Sequence, residues 1–361
     1  MAIWVTFPLW IGFANVSELK WPEKTITVYV GWTAGGSSDI TTRALVMEME
    51  KRLGRKILVV NVTGAVGSIG AMPVAKAPPD GYLWFGGGAV HGTWPILGYS
   101  DASWTDFYAF LDAVMPTSIY VLDDAPWKTI EQLIADIQAS PKGRFRYGHP
   151  GAGSNGSIFG GLLLEAAGAV DKVRSIPYRG GREAGRYLLS GEISFVSVTM
   201  GDLSDWAVAG RVRPLANLFS SEIMFEGVKY RAITDIYPEL EPYQAINPCY
   251  GIYVHRDTPE EIVTKIAETF VYAIQQEGFQ KIVVEERAGI LLPKLGRASD
   301  EQMSRIESAR GWALFDLGVA PNNPSAFGVP RLSEWSWPPH QRAAELRPWP
   351  KAVEAMYKEL R

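Results

Sequence analysis

The chain has 361 residues, of which 47% are hydrophobic and 20% are charged, which is typical of a globular protein with room for two domains. The formal net charge of −4 gives no reason to expect nucleic acid or an anionic membrane as a partner. The single cysteine, Cys249, excludes an internal disulfide and a metal site built from several cysteines.

The first residues of the chain are strongly apolar. Residues 2–14 contain no Lys or Arg, and the run is shorter than the ~20 residues that a membrane-spanning helix needs. Residues 1–20 are therefore interpreted as either the remnant of a signal peptide or an N-terminal arm packed on the body. No later stretch has the length and hydrophobicity of a transmembrane helix, so none is predicted.

Strand and helix patterns alternate along the chain. Apolar residues alternate over 25–30, recur at helical spacing over 40–53, and form a short β-branched run at 57–60. This is one βαβ unit, whose two strands are expected to be parallel. A second unit of the same design is predicted from a strand at 145–147, a glycine-rich loop at 149–156, a helix at 158–167 and a strand at 173–176. Two similarly built α/β domains are therefore predicted.

Three glycine-rich turns precede predicted helices, at 34–39, 64–70 and 151–156. Glycine lets the backbone approach a ligand closely, and a helix start offers unpaired N–H donors at the positive end of its dipole. Such turns suit a carboxylate or a phosphate, although each could instead be a tight turn with a Ser or Asp cap. Three of them in one chain favour anion recognition.

The third turn, 151–156, also matches G-x-G-x-x-G between a predicted strand and a predicted helix, which is the pattern of a dinucleotide site. An NAD site would need an acidic residue at the end of the following strand, where this chain has Pro177, Tyr178 and Arg179. Because Arg179 could meet a 2′-phosphate, an NADP-dependent or other α/β enzyme stays open as the alternative function.

Other catalytic patterns are absent from the sequence. The four histidines lack the spacing of metal ligands, no nucleophile elbow is present, and Cys249 has no neighbouring base. We therefore predict no catalytic residue, no metal and no cofactor. His91, which follows Gly86, Gly87 and Gly88, is the one histidine that we expect at a ligand.

In their order and spacing these loops resemble those of the substrate-binding proteins of tripartite tricarboxylate transporters, the Bug or TctC-like family. The resemblance extends from about residue 21 to about residue 318. The segments that carry it are Trp21-Pro22-Glu23-Lys24-Thr25-Ile26, Gly35-Gly36-Ser37-Ser38-Asp39 with Arg43, Asn61 with Gly64, Gly67 and Gly70, Pro79-Asp80-Gly81-Tyr82, Gly151-Ala152-Gly153-Ser154, Pro177-Tyr178-Arg179-Gly180, and Tyr250-Gly251-Ile252 with Thr258-Pro259.

The resemblance implies a type II periplasmic-binding-protein fold, in which two α/β domains close around a ligand cleft. It also implies a periplasmic location and two integral-membrane permease subunits as partners. The ligand is expected to be a small organic acid, aliphatic or aromatic. Ser157 stands where the family often has histidine, and Val198-Thr199 where an Asp-Asn pair is common, so the usual dicarboxylates are in question. No nucleic-acid partner is expected, and we expect a monomer.

The matched βαβ units and a return crossing near Tyr250 also predict the domain boundaries. Domain one comprises 21–120 and 250–330, domain two comprises 121–249, and a Trp- and Pro-rich extension follows at 331–361. We expect backbone N–H groups of 35–37 and 153–155 to converge on one anion. The residues predicted to bind the ligand are Trp32, Ala34, Gly35, Gly36, Ser37, Asp39, Gly67, Ser68, His91, Gly153, Ser154, Asn155, Tyr178, Arg179, Thr199 and Tyr250.

Overall fold

The computed structural model describes residues 20–360, so the alternatives for residues 1–20, a signal remnant or an arm, lie outside the described residues except at Lys20. Within 20–360 the strands are β1 Ile26–Val30, β2 Ile57–Asn61, β3 Leu83–Gly88, β4 Phe107–Val114, β5 Thr117–Leu122, β6 Phe145–His149, β7 Val173–Pro177, β8 Phe195–Thr199, β9 Val212–Asn217, β10 Ile223–Phe225, β11 Val228–Tyr230, β12 Cys249–His255 and β13 Ile290–Lys294. The α-helices of the same range are α1 Ser37–Leu53, α2 Ser68–Lys76, α3 Thr93–Leu97, α4 Ile130–Ala139, α5 Asn155–Ala166, α6 Gly181–Leu189, α7 Met200–Val208, α8 Glu260–Ile274, α9 Glu277–Gln280, α10 Arg297–Asp316, α11 Gln341–Ala344 and α12 Lys351–Leu360.

The first sheet has the strand order β13-β4-β12-β3-β1-β2. β1 is parallel to β2 and β3, as the βαβ pattern predicted, whereas β12 runs antiparallel to β3 and β4. The alternation of β1 reflects its burial, because Ile26, Val28 and Val30 are fully buried. α1 and α8 pack together on one face of this sheet, and α2 covers part of the other. This sheet and the helices packed on it are called the first lobe.

The second sheet has the order β7-β6-β8-β5-β9, with β6 parallel to β7 and β8, and with β5 antiparallel to β8 and β9. Its helices include α5, α6 and α7, and together they form the second lobe. Both sheets share one strand order. The first strand that follows a crossing from the other lobe is β12 in the first sheet and β5 in the second, and it lies fourth when counted from β2 or from β7. The predicted α/β class is confirmed.

The two lobes are joined by crossings that lie side by side. The chain passes from β4 to β5 through Met115 and Pro116, and it returns to β12 through Asn247 and Pro248. The Met115 N–H donates to the Pro248 carbonyl at 3.2 Å, and the Thr117 N–H donates to Asn247 Oδ1 at 2.8 Å. Because the two crossing segments are hydrogen-bonded to each other, they form a paired connection between the lobes.

Helix α10 contacts both lobes. Met303 and Ile306, in its first half, pack in a core cluster of the first lobe. Ala313 and Leu314, in its second half, pack instead in the core of the second sheet. The predicted domain-one segment 250–330 therefore contributes its strands to the first sheet, while the end of α10 belongs to the packing of the second lobe.

The C-terminal extension wraps around the first lobe. Trp349 and Val353 are buried in the cluster that holds α1 and α8. Trp337 and Leu346 are packed against the cluster on the opposite face of the same sheet. The extension therefore adds apolar side chains to both cores of the first lobe, and its last helix begins at Lys351.

Candidate functional site

A cavity lies between the lobes, where β1, β3, β6 and β8 end. Ligands of α/β proteins bind at this edge, outside the carboxyl ends of parallel strands. In this conformation the cavity is narrow, with about 20 Å³ of space for the centres of water-sized spheres, which is room for about one water molecule. Its lining comes from the first lobe and the crossings (Trp32, Thr33, Gly36, Ser37, Ser38, Gly88, Val90, Pro248 and Tyr250) and from the second lobe (Pro150, Asn155, Gly180, Gly181, Thr199 and Asp202). We call it the interdomain cleft.

The first glycine-rich turn brings the start of α1 to this cleft. Gly36 precedes the helix in an extended conformation and supplies no side-chain cap, so the first N–H groups of α1 are free for other acceptors. The Ser37 N–H and Ser37 Oγ both donate to Asp202 Oδ1 of the second lobe, at 2.7 and 2.9 Å. The helix also begins three residues before the predicted start at 40, because Ser37 and Ser38 already form its first turn.

Asp39 was predicted to face the ligand, but in the structure it organises the loop. Its carboxylate accepts the Gly35 N–H at 2.9 Å and the Asn61 amide at 2.9 Å, and it is paired with Arg43 at 2.9 Å. Asp39 is buried and Ala34 is exposed, and neither of them lines the cleft. The loop that presents Ser37 is therefore held in place by a carboxylate of its own.

The third glycine-rich turn, 151–156, places only one of its predicted residues in the cleft. The Gly153 N–H donates to Ser157 Oγ at 2.9 Å, and Ser154 Oγ accepts the Ser157 N–H at 3.2 Å as the cap of α5. These groups are used within the turn, so they do not converge on an anion with those of Ser37 in this conformation. Asn155, the next residue, does line the cleft.

A small hydrogen-bond network links the second-lobe wall of the cleft to Tyr250 of β12. The Asn155 amide donates to Thr117 Oγ1 at 2.8 Å and to Thr199 Oγ1 at 3.2 Å. The Tyr250 hydroxyl donates to Thr199 Oγ1 at 3.1 Å, and burial raises the pKa of this tyrosine. Three predicted residues, Asn155, Thr199 and Tyr250, are thus brought together as neutral polar groups.

Asp202 is the residue of the cleft that the sequence patterns did not indicate. It lies in the first turn of α7, directly after β8, and is only 4% exposed. Burial raises the pKa of its carboxyl, and the hydrogen bonds from Ser37 oppose that rise. One feature of the sequence could have indicated Asp202 as a site residue, which is its position a few residues after the carboxyl end of a parallel strand.

A second, wider cavity of about 280 Å³ adjoins the cleft and shares Trp32 and Pro150 with it. Tyr178 and Arg179 line this outer cavity, where Arg179 is exposed and its N–H donates to the Glu183 carboxylate at 2.8 Å. These two predicted residues therefore lie at the mouth of the cleft.

The remaining glycine-rich turn supports the site indirectly. Gly64, Ala65, Val66 and Gly67 all have positive φ angles, and Val66 lines the outer cavity. A Cβ at Gly67 would lie 3.1 Å from the ring of Trp32, so glycine lets that ring pack closely on the turn. Gly67 and Ser68, which were predicted to touch the ligand, line neither cavity.

His91 does not reach the cleft, and the prediction of a ligand contact is corrected. Its ring is fully buried against Tyr253 at 4.0 Å, Trp94 at 4.7 Å and Phe85 and Phe107 at 5.3 Å between ring centroids. Burial lowers its pKa to about 3, so the ring is neutral at ordinary pH. The preceding glycines end β3 and point the chain inward, toward the aromatic core.

His91 gives a testable dependence of stability on pH. Its pKa is about 3 in the folded protein and about 6.5 in the unfolded protein. The stabilisation that depends on neutral His91 is therefore complete above pH 6.5 and is lost as the pH falls toward 3. Between pH 6.5 and pH 4, His91 should lower the free energy of unfolding of the unmodified protein by about 3 kcal/mol. We expect this part of the decrease to be absent in His91→Phe. Urea unfolding at several pH values measures it. Parallel curves for the variant and the unmodified protein would contradict this account of His91.

The described residues hold little that suits catalysis. Within 20–360 no group of three or more His, Cys, Asp or Glu side chains is arranged to hold a metal ion. Cys249 is buried, and burial raises the pKa of its thiol to about 12, which keeps it protonated. In the same part of the chain no helix has both the length and the apolar character needed to cross a membrane.

Two α/β lobes, a paired connection and a polar cleft at the ends of their parallel strands define a bilobed fold of the periplasmic-binding-protein type. The tripartite tricarboxylate transporter family receptor model matches residues 41–293, and the chain belongs to that family. This membership confirms the predicted resemblance and favours solute binding over the dinucleotide-dependent enzyme.

Individual relatives agree with this assignment. The UPF0065 protein in the TAR-I ttuE-ttuC' intergenic region of Agrobacterium vitis is 28% identical over 278 residues, which cover 74% of this chain and 75% of that protein. The structure of the periplasmic binding protein BugD is 22% identical, covers 83% of this chain and 99% of its own, and superposes with a TM-score of 0.76. R. palustris Rpa4515 with adipate gives 22% identity, the same coverages and a TM-score of 0.71. The two structures show that the fold is shared.

Proposed function

We propose that this protein is a periplasmic receptor that captures a small carboxylate-bearing solute in the interdomain cleft and delivers it to integral-membrane permease subunits of a tripartite transporter. It works by binding and release, without catalysis. Family membership supports the receptor role, and the position of the cleft between two lobes supports capture by closure.

The observation that carries this proposal is that the start of α1 already binds a carboxylate, that of Asp202. The backbone N–H and the hydroxyl of Ser37 donate to one oxygen, at the positive end of a 17-residue helix. A solute carboxylate has the same geometry and the same charge. The site therefore has the donors that a carboxylate ligand needs, without a basic side chain in direct contact to slow release.

The rest of the solute would face neutral polar groups and one aromatic ring. Asn155, Thr199 and Tyr250 offer an amide and two hydroxyls, and Trp32 lies between the cleft and the outer cavity. The fold is compatible with an aliphatic acid, since Rpa4515 was determined with adipate. The aromatic wall is equally suited to an aromatic acid, so both classes belong in a ligand screen.

A thermal-shift screen tests the proposal and its alternative together. The full chain is heated with aliphatic monocarboxylates, dicarboxylates, aromatic acids and, separately, NADP. A solute at a hundred times its Kd adds about 2.7 kcal/mol to the free energy of unfolding, so its melting temperature rises clearly. We expect at least one acid to stabilise the protein. Stabilisation by NADP with none by any acid would favour the enzyme alternative.

Thr199→Val tests whether the network on the second-lobe wall shapes the site. The variant keeps the side-chain volume but removes the hydroxyl that accepts from Asn155 and Tyr250, leaving two buried donors without their acceptor. We expect about tenfold weaker binding of the best acid by calorimetry. Thr105→Val, at a buried threonine outside the cleft, is the matched control and should leave affinity unchanged. Equal affinities of both variants would contradict this assignment of the network.

A further inference from the structure

A contact between Asp202 and Ser37 joins the two lobes directly across the cleft, in addition to the one between Tyr250 and Thr199. Asp202 belongs to α7 of the second lobe, and Ser37 belongs to α1 of the first lobe. Asp202 Oδ1 accepts the Ser37 N–H at 2.7 Å and the Ser37 hydroxyl at 2.9 Å, and both residues are almost fully buried. A buried carboxylate thus bridges the lobes at the point where a solute carboxylate would bind.

The surroundings of Asp202 leave room for this carboxylate and little else. A Cβ at Gly181 would lie 2.0 Å from Asp202 Oδ2, and a Cβ at Gly36 would lie 3.2 Å from Asp202 Oδ1. These glycines lie on opposite sides of the cleft, one in each lobe. Because any side chain at Gly181 would collide with the carboxylate, the observed position of Asp202 depends on glycine there.

The nearest cations do not pair with the Asp202 carboxylate. The Arg182 guanidinium is bound to the Asp205 carboxylate and donates to the backbone carbonyl of Asp202 at 2.9 Å. Arg287 lies 3.4 Å from the Asp205 carboxylate. The charge of Asp202 is therefore balanced mainly by the start of α1. A second carboxylate brought into this buried space would be disfavoured, because like charges that share a site cannot both ionise freely.

We propose that Asp202 is the specificity-determining residue of the cleft. It bridges the two lobes by binding to the start of α1, and a solute carboxylate reaches that position only by displacing it. The displaced Asp202 then disfavours solutes that bring a second negative charge, so monocarboxylates are selected over dicarboxylates. The selection of solutes depends on the proposed function, whereas the bridge between the lobes does not.

The bridge is tested on the ligand-free protein by small-angle X-ray scattering. We expect the unmodified chain to match the closed structure and Asp202→Ala to give a larger radius of gyration. Asp171→Ala, which removes the same charge from the second lobe and breaks an ion pair with Lys142 of that same lobe, should match the unmodified chain. Identical profiles for the unmodified protein and Asp202→Ala would overturn the proposed bridge.

The selection is tested by calorimetric titration with butyrate and succinate, which have equal carbon number and differ by one carboxylate. We expect Asp202→Ala to bind succinate at least tenfold more tightly than the unmodified protein, with a smaller gain for butyrate. Asp202→Asn, which keeps an acceptor for Ser37 but not the charge, should stay closed and lose most of the discrimination. Weaker binding of both acids by Asp202→Ala would overturn the proposal, because Asp202 would then contact the solute.

The two proposals fail in distinguishable ways. If no variant binds any acid of the screen, the proposed function is contradicted, while the scattering profiles still decide whether Asp202 bridges the lobes. If acids bind but Asp202→Ala changes neither the profile nor the ratio of affinities for the two probes, the receptor function stands and the role of Asp202 is refuted.

Discussion

Replacing Gly156 with alanine is expected to destabilise the protein by about 3 kcal/mol or more, because the added methyl group has no space. Its Cβ would lie 2.0 Å from the carbonyl oxygen of Ser197 and 2.8 Å from Cδ of Pro150. The first of these is a backbone atom of β8, so relief requires a shift of α5 away from the sheet. The same shift would move Asn155, so solute binding should weaken as well.

Gly161→Ala is the matched control for this substitution, since both glycines lie in α5. A Cβ at Gly161 meets only the flexible end of Leu317, at 3.1 Å, and alanine is favoured over glycine inside a helix by about 1 kcal/mol. Urea unfolding of the two variants should give a large loss at 156 and a change within about 1 kcal/mol at 161. Equal stabilities would show that α5 is not held as closely against β8 as the structure has it.

Asp300→Ala is expected to cost about 3–5 kcal/mol and to release the C-terminal extension. Asp300 forms two bonds with the Arg256 guanidinium, at 2.8 and 2.9 Å, and accepts the Trp349 indole N–H at 2.9 Å. Arg256 also donates to the carbonyl of Arg347 at 2.7 Å. Removing the carboxylate leaves Arg256, which is 5% exposed, as a buried charge without its partner.

The control for this variant is Glu131→Ala, which breaks an ion pair with the same two-bond geometry at the surface of the second lobe. The Arg231 guanidinium donates to both Glu131 carboxylate oxygens at 3.1 Å, with side chains 35% and 47% exposed, so the loss should stay below about 1 kcal/mol. Limited proteolysis after residue 330 adds a readout specific to the extension. If the extension of the Asp300→Ala variant resists the protease as well as that of the unmodified chain, Asp300 does not hold the extension in place.

The sequence patterns succeeded where local chemistry decides the structure. The alternating residues of β1, the helical spacing of α1 and the glycine-rich turn before α5 were all recognisable from spacing and residue type. They predicted the two α/β units. The order and spacing of the loops also indicated the family.

What the patterns missed depends on contacts between distant residues. Asp202 meets Ser37 from 165 positions away, and no local motif announces such a pair. The Gly153 N–H donates to the Ser157 hydroxyl, and the Ser154 hydroxyl accepts from the Ser157 N–H, because of the geometry of one turn. His91 follows a run of glycines that resembles a binding loop, but the chain then turns into an aromatic core. In each case tertiary packing, rather than residue type, decided where the side chain lies.

The most direct test of the account is a crystal structure of the protein with the acid that stabilises it most. We predict a carboxylate of that acid at the start of α1, within hydrogen-bond distance of the Ser37 N–H, with Asp202 displaced and the rest of the solute facing Asn155 and Thr199. An acid bound elsewhere, with the contact between Ser37 and Asp202 intact, would contradict the assignment of the interdomain cleft as the carboxylate site.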